Sequence, residues 1–149
     1  MNIRPYTPTD KLAVVKLLQL NTPAFFDESE QIDLEHYLDN ETEDYFVIES
    51  DSEIIGAGGI NYFLSENHAR IAWDFIHPDQ HRKGTGRLLT QHRLNHLKSY
   101  PEVHKIIVRT SQHVYKFYEK LNFKIVAIKP DFWAVGYDLY EMEQTNTNV

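Results

Sequence analysis

The sequence predicts an α+β domain built on one mixed, mostly antiparallel sheet of about six or seven strands, flanked by about four helices. Three observations predict it. The stretch from Ala69 to Arg109 reads as strand, helix, strand, and such a unit needs a parallel crossover. Apolar strand-like runs separated by short turns flank that unit and read as antiparallel hairpins. The 149 residues suit one domain with one sizeable core. We take 1–143 as that domain and 144–149, polar and terminal, as a disordered tail.

The elements follow in order. Met1–Tyr6 is a short first strand. Thr7-Pro8-Thr9-Asp10 starts a helix: Thr7 suits the N-cap, Pro8 the first helical position and Asp10 the capping-box acid. Leu12 to Leu20 continues it, and Asn21-Thr22-Pro23 stops it. Ser29 to Asn40 is a second, acidic helix with Ile32, Leu34, Tyr37 and Leu38 as its apolar positions. Tyr45–Ser50 and Glu53–Leu64 form a hairpin about Asp51-Ser52. Gly56, Gly58 and Gly59 in its second strand signal a bulge or a close backbone approach. After the turn at Ser65-Glu66-Asn67, Ala69–Ile76 alternates, with Ile71, Trp73 and Phe75 against Ala72, Asp74 and Ile76. A glycine-containing loop leads to the helix Gly86–Lys98, which ends near Pro101. Val103–Arg109 is a buried-type strand. Gln112–Leu121 is a helix with Val114, Phe117, Tyr118 and Leu121 as its stripe. Phe123–Ile128 and Ala134–Met142 are the last strands.

Composition excludes several functions. The chain has no cysteine, so disulfides, thiolate nucleophiles and Cys-ligated metals are out. No apolar run approaches the ~20 residues of a membrane span. The N-terminus lacks the apolar core of a signal peptide, so the expected compartment is the cytoplasm. A net charge of −7 argues against general nucleic-acid binding. The charge is uneven. Leu17 to Ala69 holds no Lys or Arg and many Asp and Glu, whereas Arg82, Lys83, Arg87, Arg93 and Lys98 gather later. The acidic half suits a cation and the basic segment an anion.

His81-Arg82-Lys83-Gly84-Thr85-Gly86 lies between a strand and a helix. Its glycines let successive amides point into one concavity, and the helix adds its positive end. Arg82, Lys83 and Arg87 add charge, so a pyrophosphate suits the loop. Taken alone, Gly-x-Gly is equally a tight turn without a ligand. A P-loop is disfavoured because Gly-x-x-x-x-Gly-Lys-Ser/Thr is missing. A Rossmann site is disfavoured because Leu89 stands where the third glycine belongs.

The run Ile76-His77-Pro78-x-x-x-Arg82-Lys83-Gly84-Thr85-Gly86 resembles the acetyl-CoA loop of the GNAT superfamily of N-acetyltransferases, Gln/Arg-x-x-Gly-x-Gly/Ala. His81 stands in the Gln/Arg position. A second stretch, from Ser111 to Phe123 through Phe117-Tyr118 and Asn122-Phe123, is similar to the family's Ala-x-x-Phe-Tyr-x-x-x-Gly-Phe helix. Val114 stands for Ala, and Asn122 for Gly as a left-handed C-cap. The resemblance implies a GNAT-like fold with acetyl-CoA as co-substrate and no metal. It implies that Arg82, Lys83, Gly84, Thr85, Gly86 and Arg87 hold the pyrophosphate, with a hydrogen bond from His81. The backbone of Phe75, Ile76 and His77 would pair with the pantetheine arm. Ser111 and Tyr118 complete the cofactor side.

Acetyl transfer to an amine needs a free amine, an oxyanion donor and an acid for the leaving thiolate. The resemblance puts Tyr118 near the CoA sulfur as that acid, with Tyr115 in reserve. By pattern alone, Tyr118 packs on the stripe beside Phe117. Asp74, a carboxylate in an apolar strand, is the candidate base, its pKa raised by burial between Trp73 and Phe75. An outward-facing Asp74 fits the pattern equally. Glu28 or Glu30 acting through water is the other option, and the Ile76 backbone is the oxyanion partner. His92 and His96 share a helix face without a third ligand and read as solvated. Tyr62, Phe63, Trp73 and Trp133 could wall a pocket, or pack the core.

The expected function is acetyl transfer from acetyl-CoA to a primary amine of a small molecule or peptide. The acidic first half suggests a cationic acceptor, against a plain solvated face. No nucleic-acid or membrane partner is expected, and a homodimer is left open. The alternative is a non-catalytic CoA-binding or sensing module.

Overall fold

The computed structural model describes residues 1–147. Strand β1 (Asn2–Pro5) leads through a 3-10 turn at Pro8–Asp10 into α1 (Lys11–Leu20). The Thr7/Asp10 capping box forms there as expected. Helix α2 (Glu30–Asn40), strands β2 (Asp44–Ser50), β3 (Glu53–Phe63) and β4 (His68–Ile76), helix α3 (Thr85–Leu97), β5 (Lys105–Thr110), α4 (Tyr115–Glu119), β6 (Lys124–Ala134) and β7 (Tyr137–Thr145) follow. The seven strands form one sheet in the order β1-β2-β3-β4-β5-β7-β6. Every neighbouring pair is antiparallel except β4 and β5, which α3 joins in parallel. The fold class is the mixed α+β sheet that the sequence predicts.

Side chains alternate across the sheet and so build a core on each face. One core takes Ile48, Ile60 and Ile71 with Leu89 and Leu97 of α3 and Tyr118 of α4. The other takes Val47, Ala57 and Phe75 with Val14 and Leu18 of α1 and Leu34 and Leu38 of α2. A fully buried Leu or Val of this kind contributes about 1.5–3 kcal/mol, which is why two short helices can hold to a sheet.

Four expectations need correction. In α2 the buried stripe is Glu30, Leu34, Tyr37 and Leu38, while Ile32 is 75% exposed. Glu30 takes the place in the stripe that Ile32 was expected to fill. Helix α4 is shorter than Gln112–Leu121, because turns flank it; Asn122 still closes it at φ 71°. Strand β6 runs through Pro130, where a gap was expected. It is an edge strand, so the missing proline donor costs no ladder bond. Its register slips between Lys129 and Ala134, and this excursion carries Trp133 inward until its Nε1–H donates to the Thr110 carbonyl at 3.1 Å. Finally, β7 takes in Gln144 and Thr145 of the tail expected to be disordered. Asn146 is buried, its side-chain amide donating to the Leu97 and Val103 carbonyls at 2.9 Å each. Residues 148 and 149 lie outside the described residues.

Candidate active site

Strands β4 and β5 pair only from His68 to Ile71 and from Lys105 to Val108, although β4 continues to Ile76 and β5 to Thr110. They part beyond that point, and a cleft of about 850 Å³ opens between them. This size is in the range of a ligand site.

The cause lies in β4. Ala57 opposes Phe75 and Gly59 opposes Ala72, so Trp73 and Asp74 together face Gly58. This is a bulge, and it leaves Trp73 at φ 54°, a region that bulky residues avoid. The Tyr45 hydroxyl braces it by donating to the Trp73 carbonyl at 2.7 Å. The extra residue also reverses the phase of the strand. Ile71 faces the α3/α4 core, whereas Phe75 and Trp73 face the α1/α2 core. The strict alternation expected for Ala69–Ile76 therefore fails at the bulge.

Asp74 consequently turns toward α3 and α4, neither outward nor into the space between Trp73 and Phe75. Arg93, fully buried on α3, grips it with both ends of its fork: Nη1 to Oδ1 at 2.5 Å and Nη2 to Oδ2 at 2.7 Å. The Tyr118 hydroxyl donates to Oδ2 at 2.5 Å. Arg93 also donates to the Gly59 carbonyl at 3.0 Å. Gly58 makes the pair possible, since a Cβ there would fall 2.8 Å from Asp74 Oδ1 and 2.9 Å from Arg93 Nη1. Burial, then the Asp74 charge, push the Tyr118 phenol well above its usual pKa, so it keeps its proton. The sequence reading took Arg93 only as one more basic residue. The signal was its spacing, four residues from both Leu89 and Leu97 on the buried stripe of α3.

At one end of the cleft lies the glycine loop. Arg82 at φ 63° and Gly84 at φ 84° turn the chain into α3, whose first residue is Thr85. His81, Arg82, Gly84, Gly86 and Arg87 line the cleft; His77, Lys83 and Thr85 do not. The Thr85 hydroxyl is buried without a hydrogen-bond partner among the described residues. His81 does not present its Nε2 to the loop. That atom lies 2.9 Å from the Ile76 carbonyl, and the ring meets Phe25 edge-on. The Ile76 carbonyl also accepts from Asn21 Nδ2 at 3.0 Å. The His77 amide donates to Ile55, so Gly56 and Ile76 form a non-hydrogen-bonded pair. The Ile76 amide therefore faces away from β3, on the open side of β4. Phe75 is paired to Ala57, which leaves Ile76 as the open backbone group of the three expected. Ser111 lines the cleft, and its Oγ accepts from the His113 amide at 3.2 Å.

The opposite wall comes from α2 and the loop before it. Glu30 is 8% exposed, and its Oε2 has one long contact, 3.3 Å from the Asp27 amide. Burial, with the Asp27 and Asp33 charges adding to it, raises its pKa to about 7. Phe25, Phe26, Trp73 and Trp133 line this wall. Tyr62 and Phe63 do not. Tyr62 stacks on Tyr100, and Phe63 lies on His68.

The acid-rich segment does not supply the cleft as expected. Of its carboxylates only Glu30 lines it. Asp39 pairs with Lys11, Glu49 with Arg4, and Asp44 accepts from Tyr62. The cleft's other acid, Asp74, is matched by Arg93, and the remaining charges in the lining are Arg70, Arg82, Arg87, Arg109, Lys116 and Lys120. The helix stripes explain the reversal. Outward positions of α2 carry the acids, and only Glu30 turns inward. His92 and His96 are not free of neighbours either, as both meet Phe46 edge-on.

Comparison with known proteins agrees with this geometry. The family model of the acetyltransferase (GNAT) domain matches residues 15–145. Amino-acid acetyltransferases of two Vibrio vulnificus strains are 32% identical over 88 residues, 59% of this chain. The match spans only 20% of those longer proteins. Among solved structures, the ribosomal-protein-S18-alanine N-acetyltransferase from Escherichia coli superposes with TM-score 0.80 at 19% identity, over 98% of this chain and 94% of that one. An aminoglycoside 6'-N-acetyltransferase complexed with coenzyme A superposes with TM-score 0.75 at 18% identity, over 97% of both chains. These two likenesses are of fold.

Proposed function

The chain belongs to the GNAT acetyltransferase family, and we propose that it moves an acetyl group from acetyl-CoA directly to a primary amine of a small molecule or peptide. The observation that carries this is the parting of β4 and β5, with the glycine loop at one end, Glu30 at the other and Tyr118 between them. Relatives whose names specify amino-acid, protein and aminoglycoside amines support an amine acceptor. No helix among the described residues is long and apolar enough to cross a membrane, and we place the reaction in the cytosol. The chain has no cysteine, which favours direct transfer over a thioester on the enzyme.

The bound co-substrate supplies an acyl thioester. The amides from Arg82 to Arg87, with the Arg82 and Arg87 side chains, would hold its pyrophosphate. The Ile76 amide is the donor for the developing oxyanion. An alkylammonium has a pKa of ~10.4, so the acceptor must lose a proton. Glu30, with one long hydrogen bond and lifted to about 7, is the group to take it, directly or through one water. As the C–N bond forms and the C–S bond breaks, Tyr118 gives its proton to the thiolate, and the second proton that the new amide nitrogen sheds returns to Tyr118 through water. Arg93 offsets the phenolate in between. Asp74 is a positioning residue: held by Arg93, it fixes the Tyr118 hydroxyl.

Thiol release from acetyl-CoA, followed against a panel of amines, tests the proposal. Turnover with at least one primary amine is expected. A chain that binds CoA, read by a rise in Tm, yet turns over with none is a CoA-binding module instead.

A further inference from the structure

Arg70 and Arg109 line the acceptor side of the cleft, and the mechanism uses neither. Arg70 lies opposite Ile107, so Arg109, two residues further on, shares its face of the sheet. Arg70 makes no ion pair or side-chain hydrogen bond among the described residues, and its Nε is out of solvent without a partner. Its guanidinium lies 4.6 Å over the Phe63 ring. The Nε of Arg109 likewise lacks a hydrogen bond. Its ion-pair partner is Glu141, at 3.5 Å, and its guanidinium lies 5.0 Å from the Phe132 ring.

Two cations and one carboxylate leave a positive charge unmatched. Burial, and then the Arg109 charge, lower the Arg70 pKa, while Glu141 and Glu66 act the other way without contact. Arg93 shows the contrast, since a bound carboxylate meets the cost of its burial. Stacking on rings also limits the rotamers of both guanidiniums, leaving their planar donor forks set for a carboxylate.

We infer that the acceptor carries a carboxylate as well as its amine, with Arg70 and Arg109 binding the carboxylate while the amine is presented toward Glu30. The acceptor class is then an amino acid or a small peptide bearing one. Purely cationic amines would meet like charge at this wall. The inference rests on the acetyltransferase reading and narrows it.

The test compares acceptors that differ only in the carboxylate: lysine with cadaverine, phenylalanine with phenethylamine, and 4-aminobutyrate with butylamine. The parent chain should favour the acid in at least one pair by roughly tenfold or more in kcat/KM, the size of a charge-assisted contact. Arg70→Gln should collapse that preference by about the same factor, and Arg70→Lys should keep part of it. A general structural defect would lower both members of a pair alike. Equal rates within every pair of the parent, or parallel loss in Arg70→Gln, overturns the inference, as does a stronger preference for O-phosphoethanolamine. Should Arg70→Gln fail to fold, Arg109→Gln gives the same reading. The rise in Tm produced by each acceptor without acetyl-CoA needs no turnover. If acetyl-CoA is never consumed, the transferase reading falls, and these shifts still decide for or against the carboxylate.

Discussion

Asp74 and Glu30 both line the cleft, the first from the side of α3 and α4, the second from α2. Asp74 accepts three short hydrogen bonds, two from a buried guanidinium and one from a phenol. Glu30 accepts one, at 3.3 Å, from a backbone amide. The first environment fixes a charge in place. The second penalises the charge and lets the group carry a proton near neutral pH. Two carboxylates in one cleft thus suit two tasks, positioning and proton transfer. Residue type alone does not say which is which, because the donors around each come from other elements.

The comparison can be broken most severely at Arg93. Arg93→Met should cost about 2–4 kcal/mol in urea unfolding, because it takes the guanidinium from the Gly59 carbonyl and leaves the part-buried Asp74 with only the Tyr118 hydroxyl. Arg93→Met with Asp74→Asn should recover part of that loss. A cost under ~1 kcal/mol for the single variant would mean that water in the cleft replaces the guanidinium at Asp74.

Glu30→Gln should lower kcat/KM by about 10²–10⁴-fold and remove the limb of the pH–rate profile that rises through about pH 7. Stability should move the other way. The folded pKa stands above the ordinary 4.5, so the folded chain binds the extra proton and loses stability as pH rises from about 4.5 through 7. Above pH 7, Glu30→Gln should therefore be more stable than the parent, by on the order of 1–3 kcal/mol. A profile unchanged by this variant would remove Glu30 from proton transfer.

Tyr118→Phe should slow turnover by about 10²-fold while CoA still raises Tm, since a thiolate leaves fairly well unaided. Loss of CoA affinity equal to the loss of rate would point to packing instead of proton donation. The smallest effect is expected at Gly84. Its φ of 84° disfavours a side chain although the space is open. Gly84→Ala should cost about 1 kcal/mol and weaken CoA binding by less than about tenfold.

Much of the fold could be read along the chain. The capping box at Thr7, the turn at Asp51-Ser52, the crossover around α3 and the left-handed cap at Asn122 each depend on residues only a few positions apart. The glycine loop and the α4 helix that line the cleft were legible for the same reason, as two short stretches. That His81 turns to the Ile76 carbonyl, and that His77, Lys83 and Thr85 stand off the cleft, depends on how the loop folds back on β4. The α2 side of the cleft was legible only in part. Glu30 and Trp133 could be named among several candidates, whereas Arg70 and Arg109 could not, because the four come from α2, β6, β4 and β5. Glu30 and Arg93 did leave a trace, each a charge standing at i±4 from leucines on a buried stripe.

The sequence by itself determined the α+β class, the places of its elements and a glycine turn before α3. These rest on periodicity, capping and glycine backbone freedom, which act over a turn of helix or a few residues of strand. Only the tertiary structure decided what faces the cleft. One extra residue in β4, opposite a glycine that leaves room for Asp74 and Arg93, moves Asp74 from an alternating strand into an ion pair with the fully buried Arg93. The same packing turns the acids of the first half outward and leaves Arg70 facing in. Which side of the sheet a residue occupies depends on register and on what packs against each face, and those are settled by contacts far apart in the chain.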